Sequence, residues 1–357
     1  MGAGAHMRAE MIEPPSPHEA QAAGIAASPD SLTMLTALLR DDLTACNEAI
    51  VARMDSSVAL IPQLAAHIVA AGGKRLRPLL TLATARMCGY PGAPAALRHV
   101  HLAACVEFIH TATLLHDDVV DDSMLRRGLA SANAVFGNKA SVLVGDFLFA
   151  RAFQLMVDDG SLEVLAILSH AAATIAEGEV LQLATQNDLV TPESRYLDVV
   201  MGKTAALFAA ACQVGAVVAG RPAEEATALA AYGMKLGIAF QLVDDALDYA
   251  ADQATLGKTV GDDFREGKIT LPVLVAYGAA DEAERAFWQR TIADCAQTDA
   301  DLDRAMAIMA RCGAIDATFE RARGFAREAR AVLDIFPAST LRTLLQDVTE
   351  YTISRAC

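Results

Sequence analysis

The sequence predicts an all-α fold, and three observations carry that expectation. Hydrophobic residues fill 54% of the 357 positions, with alanine prominent among them; aromatics supply only 5%; and β-branched runs bounded by turn residues are scarce. Alanine is the strongest helix former, and strands would need the missing runs. The apolar content is enough for a sizeable core in one large domain.

Residues 1–33 are expected to form a flexible tail. Pro14, Pro15, Pro17 and Pro29 interrupt any helix there, and no basic start leads into a leucine-rich stretch. The pattern becomes helical from about Ser31, and turn chemistry ends the first helices at Gly72-Gly73 and at Gly89-Tyr90-Pro91-Gly92, with Pro78 opening the helix between them. A long helix is expected over residues 95–120. Thr191-Pro192 reads as an N-cap followed by proline in the first helical position, and Gly220-Arg221-Pro222 separates two alanine-rich helices. Phe319, Ala322, Ala326, Ala329, Leu333 and Phe336 recur at spacings of three and four until Pro337 ends the pattern. Neither an internal repeat nor a linker divides the ordered part, so residues 34–357 are expected to form one helical domain.

A formal charge of −15 makes the surface acidic and argues against a nucleic-acid partner. Seven scattered cysteines without a CxxC pair fit reduced thiols and a cytoplasmic location. The longest apolar run, residues 204–220, is interrupted by Gln213 and falls short of the roughly 20 strongly apolar residues of a spanning helix, so no transmembrane segment is expected.

Two acidic clusters carry the chemistry: Asp117-Asp118-Val119-Val120-Asp121 and Asp244-Asp245-Ala246-Leu247-Asp248. On a helix, Asp117 and Asp121 project from one face and Asp118 lies about 100° around the axis; Asp244, Asp245 and Asp248 repeat the arrangement. Two charges about 6 Å apart repel by roughly 3 kcal/mol at an effective dielectric near 20. A solvated acidic face would tolerate this, but Phe108, Ile109, Leu114 and Leu115 flank the first cluster and Ile238, Phe240, Leu242 and Val243 the second. Carboxylates in such half-buried surroundings need cations. Oxygen-only ligands suit Mg²⁺, whereas zinc would recruit a His or Cys set that neither cluster offers. His116, next to Asp117, diverges from it on a helix and is expected to pack.

Basic residues stand close by. Gly72-Gly73-Lys74-Arg75-Leu76-Arg77-Pro78 brings three cations to a turn before a helix, and Arg126-Arg127-Gly128 follows the first cluster. Each could be surface charge balance or a grip on phosphate. Gly202-Lys203-Thr204 and Gly257-Lys258-Thr259 echo the end of a P-loop, but Leu197 and Asp252 occupy the positions where its leading glycine belongs.

Taken in order, GGKRLRP, HDDVVDDSMLRRG, GKT, FQLVDDALDY and GKTVGDDFREGK resemble the trans-isoprenyl (polyprenyl) diphosphate synthase family from about residue 35 onward. The resemblance implies a homodimer of isoprenoid-synthase-type helical bundles, each with a deep central cavity and three Mg²⁺ ions. It implies metal-ligand positions at Asp117, Asp118, Asp121 and Asp244, completed by Asp245 and Asp248. Arg126, Lys203, Thr204, Gln241 and Lys258 would hold an allylic diphosphate; Lys74, Arg77, His110 and Arg127 would hold isopentenyl diphosphate; Lys268 would cover both from a mobile segment. Ionisation of the allylic ester and attack by the isopentenyl double bond would follow, with transient membrane contact for product release.

The stretch from Val106 to Gly128 looks closest to octaprenyl, solanesyl and decaprenyl diphosphate synthases that make quinone side chains. Small Ala112 and Thr113, one turn before Asp117, are expected to leave room for a C40 to C50 product. A geranylgeranyl or farnesyl diphosphate synthase is the nearest alternative. A terpene cyclase and a non-catalytic subunit fit less well, because both full aspartate motifs are present.

Overall fold

The computed structural model describes residues 30–70, 75–126, 129–250 and 260–354. Lys74, Arg127 and Lys258, the Gly72-Gly73 turn and residues 1–29 of the expected tail lie outside them. Seventeen helices follow in order among the described residues: α1 (Asp30–Leu38), α2 (Arg40–Arg53), α3 (Leu60–Ala70), α4 (Leu76–Met87), α5 (Arg98–Val120), α6 (Ala132–Phe136), α7 (Asn138–Asp159), α8 (Leu162–Thr185), α9 (Glu193–Val200), α10 (Ala206–Val218), α11 (Ala223–Ala250), α12 (Asp262–Arg265), α13 (Leu271–Gly278), α14 (Glu282–Trp288), α15 (Asp301–Cys312), α16 (Ala314–Val332) and α17 (Thr340–Ser354). Among the described residues a single strand pair joins β1 (Leu125–Arg126) to β2 (Leu129–Ala130) as a hairpin.

Helices α4, α5, α10 and α11 form the centre. α5 packs on α7, α4 and α2; α10 on α11, α4 and α8; and α16 and α17 close the far side against α11 and α1. Glycine permits two of these approaches. A Cβ on Gly178 of α8 would lie 2.5 Å from the Lys203 nitrogen, and one on Gly237 of α11 would lie 2.6 Å from the Ala205 Cα. The segment between α9 and α10, residues Met201–Ala205, forms a π-helical turn wedged between α8 and α11. Such turns often mark functional positions, and this one carries Lys203 and Thr204.

Several boundaries shift by a few residues. α1 begins four residues ahead of the expected domain boundary. α5 starts at Arg98, whose guanidinium forks onto Asp159 at the end of α7 (2.5 and 2.9 Å). Pro192 is itself the cap of α9, because its backbone is extended (φ −75°, ψ 154°), so the helix begins at Glu193. α5 ends at Val120 and leaves Asp121 as its C-cap; the second cluster occupies the last two turns of α11.

By length and composition alone, four stretches could cross a membrane: Asn138–Asp159, Leu162–Thr185, Glu193–Val218 and Ala223–Ala250. The third contains most of the apolar run that looked too short by itself, and 83% of its most apolar window is buried inside the protein. Only 28% of the corresponding window of α8 is buried.

Candidate active site

A cavity of about 1040 Å³ runs along α5. Glu107, Phe108, His110, Thr111, Thr113, Leu114 and Leu115 line it below the first aspartate cluster, and Leu32, Ile50 and Met54 line it from α1 and α2. Arg53, beside Met54, pairs with Asp158, the neighbour of the Asp159 that holds Arg98. Met54 therefore lies toward the start of α5, while the aspartates stand at its end.

The opposite stripe of α5 faces α7. Cys105 donates to the Ala152 carbonyl (3.3 Å), and His116 Nε2 lies 3.1 Å from the Val142 carbonyl oxygen. A Cβ on Gly145 would collide with that imidazole at 2.2 Å. Ala112 falls on the same stripe, four residues before His116 and seven after Cys105. It is fully buried and is not on the cavity wall. Of the two expected chain-length positions, Thr113 lines the cavity and Ala112 packs behind it.

The three aspartates of the first cluster play different parts. Asp118, 3% exposed at its side chain, accepts three contacts of 2.6 to 3.0 Å from Nε and Nη2 of Arg126. The chain returns to make this fork because Ser131 closes the hairpin, bonding the carbonyls of Met124 (3.0 Å) and Ser123 (2.6 Å). Asp117 lines the cavity 3.9 Å from the Lys203 ammonium. Burial pushes its carboxyl upward, the Lys203 charge opposes this, and Asp121 adds to it. Asp121 meets Lys268 at 3.1 Å. All three stand at the negative end of the α5 dipole, where a helix disfavours anions.

In the second cluster, Asp244, Asp245 and Asp248 line the cavity from α11. Asp245 is buried with both oxygens engaged: Tyr196 donates to Oδ2 (2.6 Å) and Gln241 Nε2 to Oδ1 (2.7 Å). Burial, reinforced by Asp263, raises its carboxyl to about 7. Thr204 donates to Gln241 Oε1 (2.8 Å). Asp248 accepts the backbone N–H of Asp263 (3.1 Å).

Five described cations reach the cavity, one of which, Arg75, is paired with Glu107 at 3.0 Å. Arg77 lies with Nη1 3.2 Å from His110 Nε2 and its guanidinium carbon 4.3 Å above the Phe208 ring. Its Nε is buried and finds no hydrogen-bond partner among the described residues. Burial lowers the pKa of Arg77 to about 10, so it stays charged. Lys203 donates to Glu179 and Gln182, each at 2.8 Å. Lys268 pairs with Asp121 and Glu266; burial opposes its charge, yet the carboxylates of Asp263, Asp121 and Glu266 hold it protonated far above the usual ammonium range. Arg126 completes the set.

Residues 58–309 match the family described as polyprenyl synthetase. The chain belongs to the polyprenyl synthetase family. It is 46% identical over 327 residues to the octaprenyl diphosphate synthase of Escherichia coli (strain K12), covering 91% of this chain and 99% of that one. The crystal structure of a decaprenyl diphosphate synthase from Rhodobacter capsulatus superimposes with a TM-score of 0.87 at 53% identity, covering 91% of this chain and 99% of that one. That of a polyprenyl synthase from Caulobacter crescentus CB15, complexed with calcium and isoprenyl diphosphate, gives 0.88 at 50%, covering 93% and 99%. A polyprenyl synthetase is a prenyltransferase, and the family joins an allylic diphosphate to isopentenyl diphosphate.

In this polyprenyl synthetase, sequence reading overlooked Glu179, Gln182 and Tyr196. Glu179 stands beside Lys203 and Asp117, where burial and the Asp117 charge, moderated by Lys203, raise its carboxyl to about 7. A lone Glu or Tyr on a helix carries no signal of its own; the only hint was Gly178, the helical glycine beside Glu179 that permits the close approach of Lys203.

Among the described residues, no three His, Cys, Asp or Glu groups gather closely enough to enclose a metal ion by themselves. The two clusters offer the cavity carboxylate oxygens; the imidazoles that also line it are His110, beside Arg77, and His67, whose Nε2 lies 2.8 Å from the Ala130 carbonyl oxygen. That fits Mg²⁺, which keeps waters and takes phosphate oxygens to complete its shell.

Proposed function

We propose that this polyprenyl synthetase extends an allylic diphosphate with successive isopentenyl diphosphates to an all-trans product of C40 to C50 that supplies quinone side chains. One observation carries the reading. A single cavity is lined by both aspartate clusters and by Arg77, Arg126, Lys203 and Lys268, and it continues past Phe108 to the apolar Leu32, Ile50 and Met54.

Asp117, Asp121, Asp244 and Asp248 would hold Mg²⁺, with three ions per site. Asp118 and Asp245 act as struts, since fixed donors already occupy both oxygens of each. The bound metal supplies charge that stabilises the departing diphosphate. Lys203, Lys268 and the Nη1 of Arg126, the nitrogen left outside the fork, face the same anion, together with Thr204 and Gln241; a role for Lys258 there rests on the sequence motif alone. Arg77 and His110, with Lys74 and Arg127, hold isopentenyl diphosphate; the unpartnered Nε of Arg77 supports this, because a buried donor gains most from an anion. Phe108, Leu114 and Leu115 exclude water from the developing cation. No side chain at the site is an obvious base, so the proton passes to the released diphosphate.

Thr113, small and on the cavity wall, leaves room for the growing tail. Exposed Leu143, Phe153 and Val157 on α7 and Leu162, Val180 and Leu183 on α8 form an apolar face suited to a second copy of the chain, giving a homodimer in the cytoplasm.

Incubating purified protein with Mg²⁺, an allylic primer and labelled isopentenyl diphosphate tests the reading. Chromatography of the dephosphorylated extract should show C40 to C50 alcohols. Products that stop at C15 or C20 would favour a farnesyl or geranylgeranyl synthase, and no incorporation would overturn the proposal.

A further inference from the structure

We infer that Tyr196 is a positioning residue: its hydroxyl locks the second aspartate motif to the turn that carries Lys203. The inference rests on the metal–diphosphate reading of the cavity. Tyr196 projects from α9 and is 4% exposed. Its ring belongs to an apolar cluster with Val200, Ile238, Leu242 and Val243, where phenylalanine would pack as well. The hydroxyl is therefore the part of the side chain that packing leaves unexplained.

That hydroxyl begins a continuous relay, buried at its first link and half-buried at the next two. It donates to Asp245 Oδ2 at 2.6 Å; Gln241 Nε2 donates to Asp245 Oδ1 at 2.7 Å; Thr204 donates to Gln241 Oε1 at 2.8 Å. Each link fixes the next. Gln241 presents its NH₂ to Asp245 Oδ1 and its oxygen to the Thr204 hydroxyl, so a single amide orientation serves both neighbours. The relay joins α11 to two points on the continuous stretch formed by α9 and the π-helical turn, Tyr196 at one and Thr204 at the other. At one end, Asp245 is fixed one residue from Asp244. At the other, Thr204 is fixed one residue from Lys203, whose ammonium stands 3.9 Å from Asp117. Tyr196 thereby ties both walls of the diphosphate site into one register from a place on the cavity wall.

Tyr196→Phe deletes the link and keeps the ring. Melting temperature should be read for wild type, Tyr196→Phe, Asp245→Ala and the double variant, each bare and with Mg²⁺ plus inorganic pyrophosphate, beside steady-state kinetics. In Tyr196→Phe, kcat should fall about tenfold, as expected for one hydrogen bond to a charged group. The Mg²⁺ concentration giving half the pyrophosphate-induced stabilisation should rise several-fold, and KM for isopentenyl diphosphate should stay within about twofold. Added to Asp245→Ala, Tyr196→Phe should change either quantity by less than about twofold, because its partner is gone. A Tyr196→Phe protein that melts lower when bare but keeps the wild-type metal response and kcat would make the hydroxyl merely structural and overturn the inference. A wild type that neither responds to Mg²⁺ and pyrophosphate nor transfers prenyl groups would overturn the functional reading beneath it.

Discussion

Neighbouring aspartates of the first motif should respond to alanine with opposite signs in the metal-free protein. Asp118→Ala strands the Arg126 fork. Breaking a buried ion pair costs roughly 3–5 kcal/mol, but the Arg126 side chain is 32% exposed against 3% for Asp118, so water recovers part of the loss. About 2–3 kcal/mol should remain. At the usual entropy of unfolding per residue, a chain of this size shifts in Tm by about 1.5 °C for each kcal/mol, so Tm should fall by about 4 °C. Asp117→Ala removes a desolvated carboxyl that faces Asp121 at the negative end of a helix. Lys203 keeps Glu179 and Gln182 as partners after the change. Relief of the dipole is worth about 0.3–1 kcal/mol, so Tm should hold or rise by about 1 °C. Scanning calorimetry in EDTA reads both. Asp117→Ala should also lose orders of magnitude in turnover and its response to Mg²⁺ with pyrophosphate. Equal falls in Tm for the two variants, or an unchanged Tm for Asp118→Ala, would refute the division of labour between ligand and strut.

Chain-length control should follow the cavity wall: Thr113→Phe should shorten the product, read by chromatography of the extracted alcohols. Ala112→Phe should instead overpack α5 against α7, costing about 1–3 kcal/mol in denaturant titration with little change in product length. The metal-free protein should lose stability as pH rises from about 4 toward 7. Asp245 and Glu179 keep protons in the fold up to about 7, while the unfolded chain releases them near 3.8 and 4.5. The unfolded state therefore binds fewer protons across that window, and the slope of stability against pH is negative. Urea titrations at pH 5 and 8 in EDTA should show it, and a more stable protein at pH 8 would contradict the raised carboxyls.

The helical fold and both aspartate motifs were legible because each is a local pattern: alanine-rich segments, turn residues, and carboxylates spaced by one helical turn. What separates Asp117 from Asp118 is not local. Both lie in the last turn of α5, and the difference depends on a hairpin that returns Arg126 to one of them. The same holds for Ala112 and Thr113, which adjoin in sequence but diverge by about 100° on the helix; the packing of α7 decides which is sealed off. Tyr196 and Asp245 are separated by 49 positions, and Glu179 and Lys203 by 24. No spacing rule connects such pairs; only the packed bundle does.

Two lysines stand at the negative end of α5, Lys203 near Asp117 and Lys268 against Asp121. Each ammonium now neutralises a carboxylate that metal would need, and each is also a cation that diphosphate would need. Metal alone must displace them without giving them a new anion; diphosphate alone must draw them away from carboxylates left bare. Arriving together, the two ligands exchange partners with the lysines and leave every charge matched. By reciprocity each ligand would strengthen the other's binding to the same degree, so on the proposed reading the site would act as a gate with two keys, opened fully only by the metal–diphosphate complex.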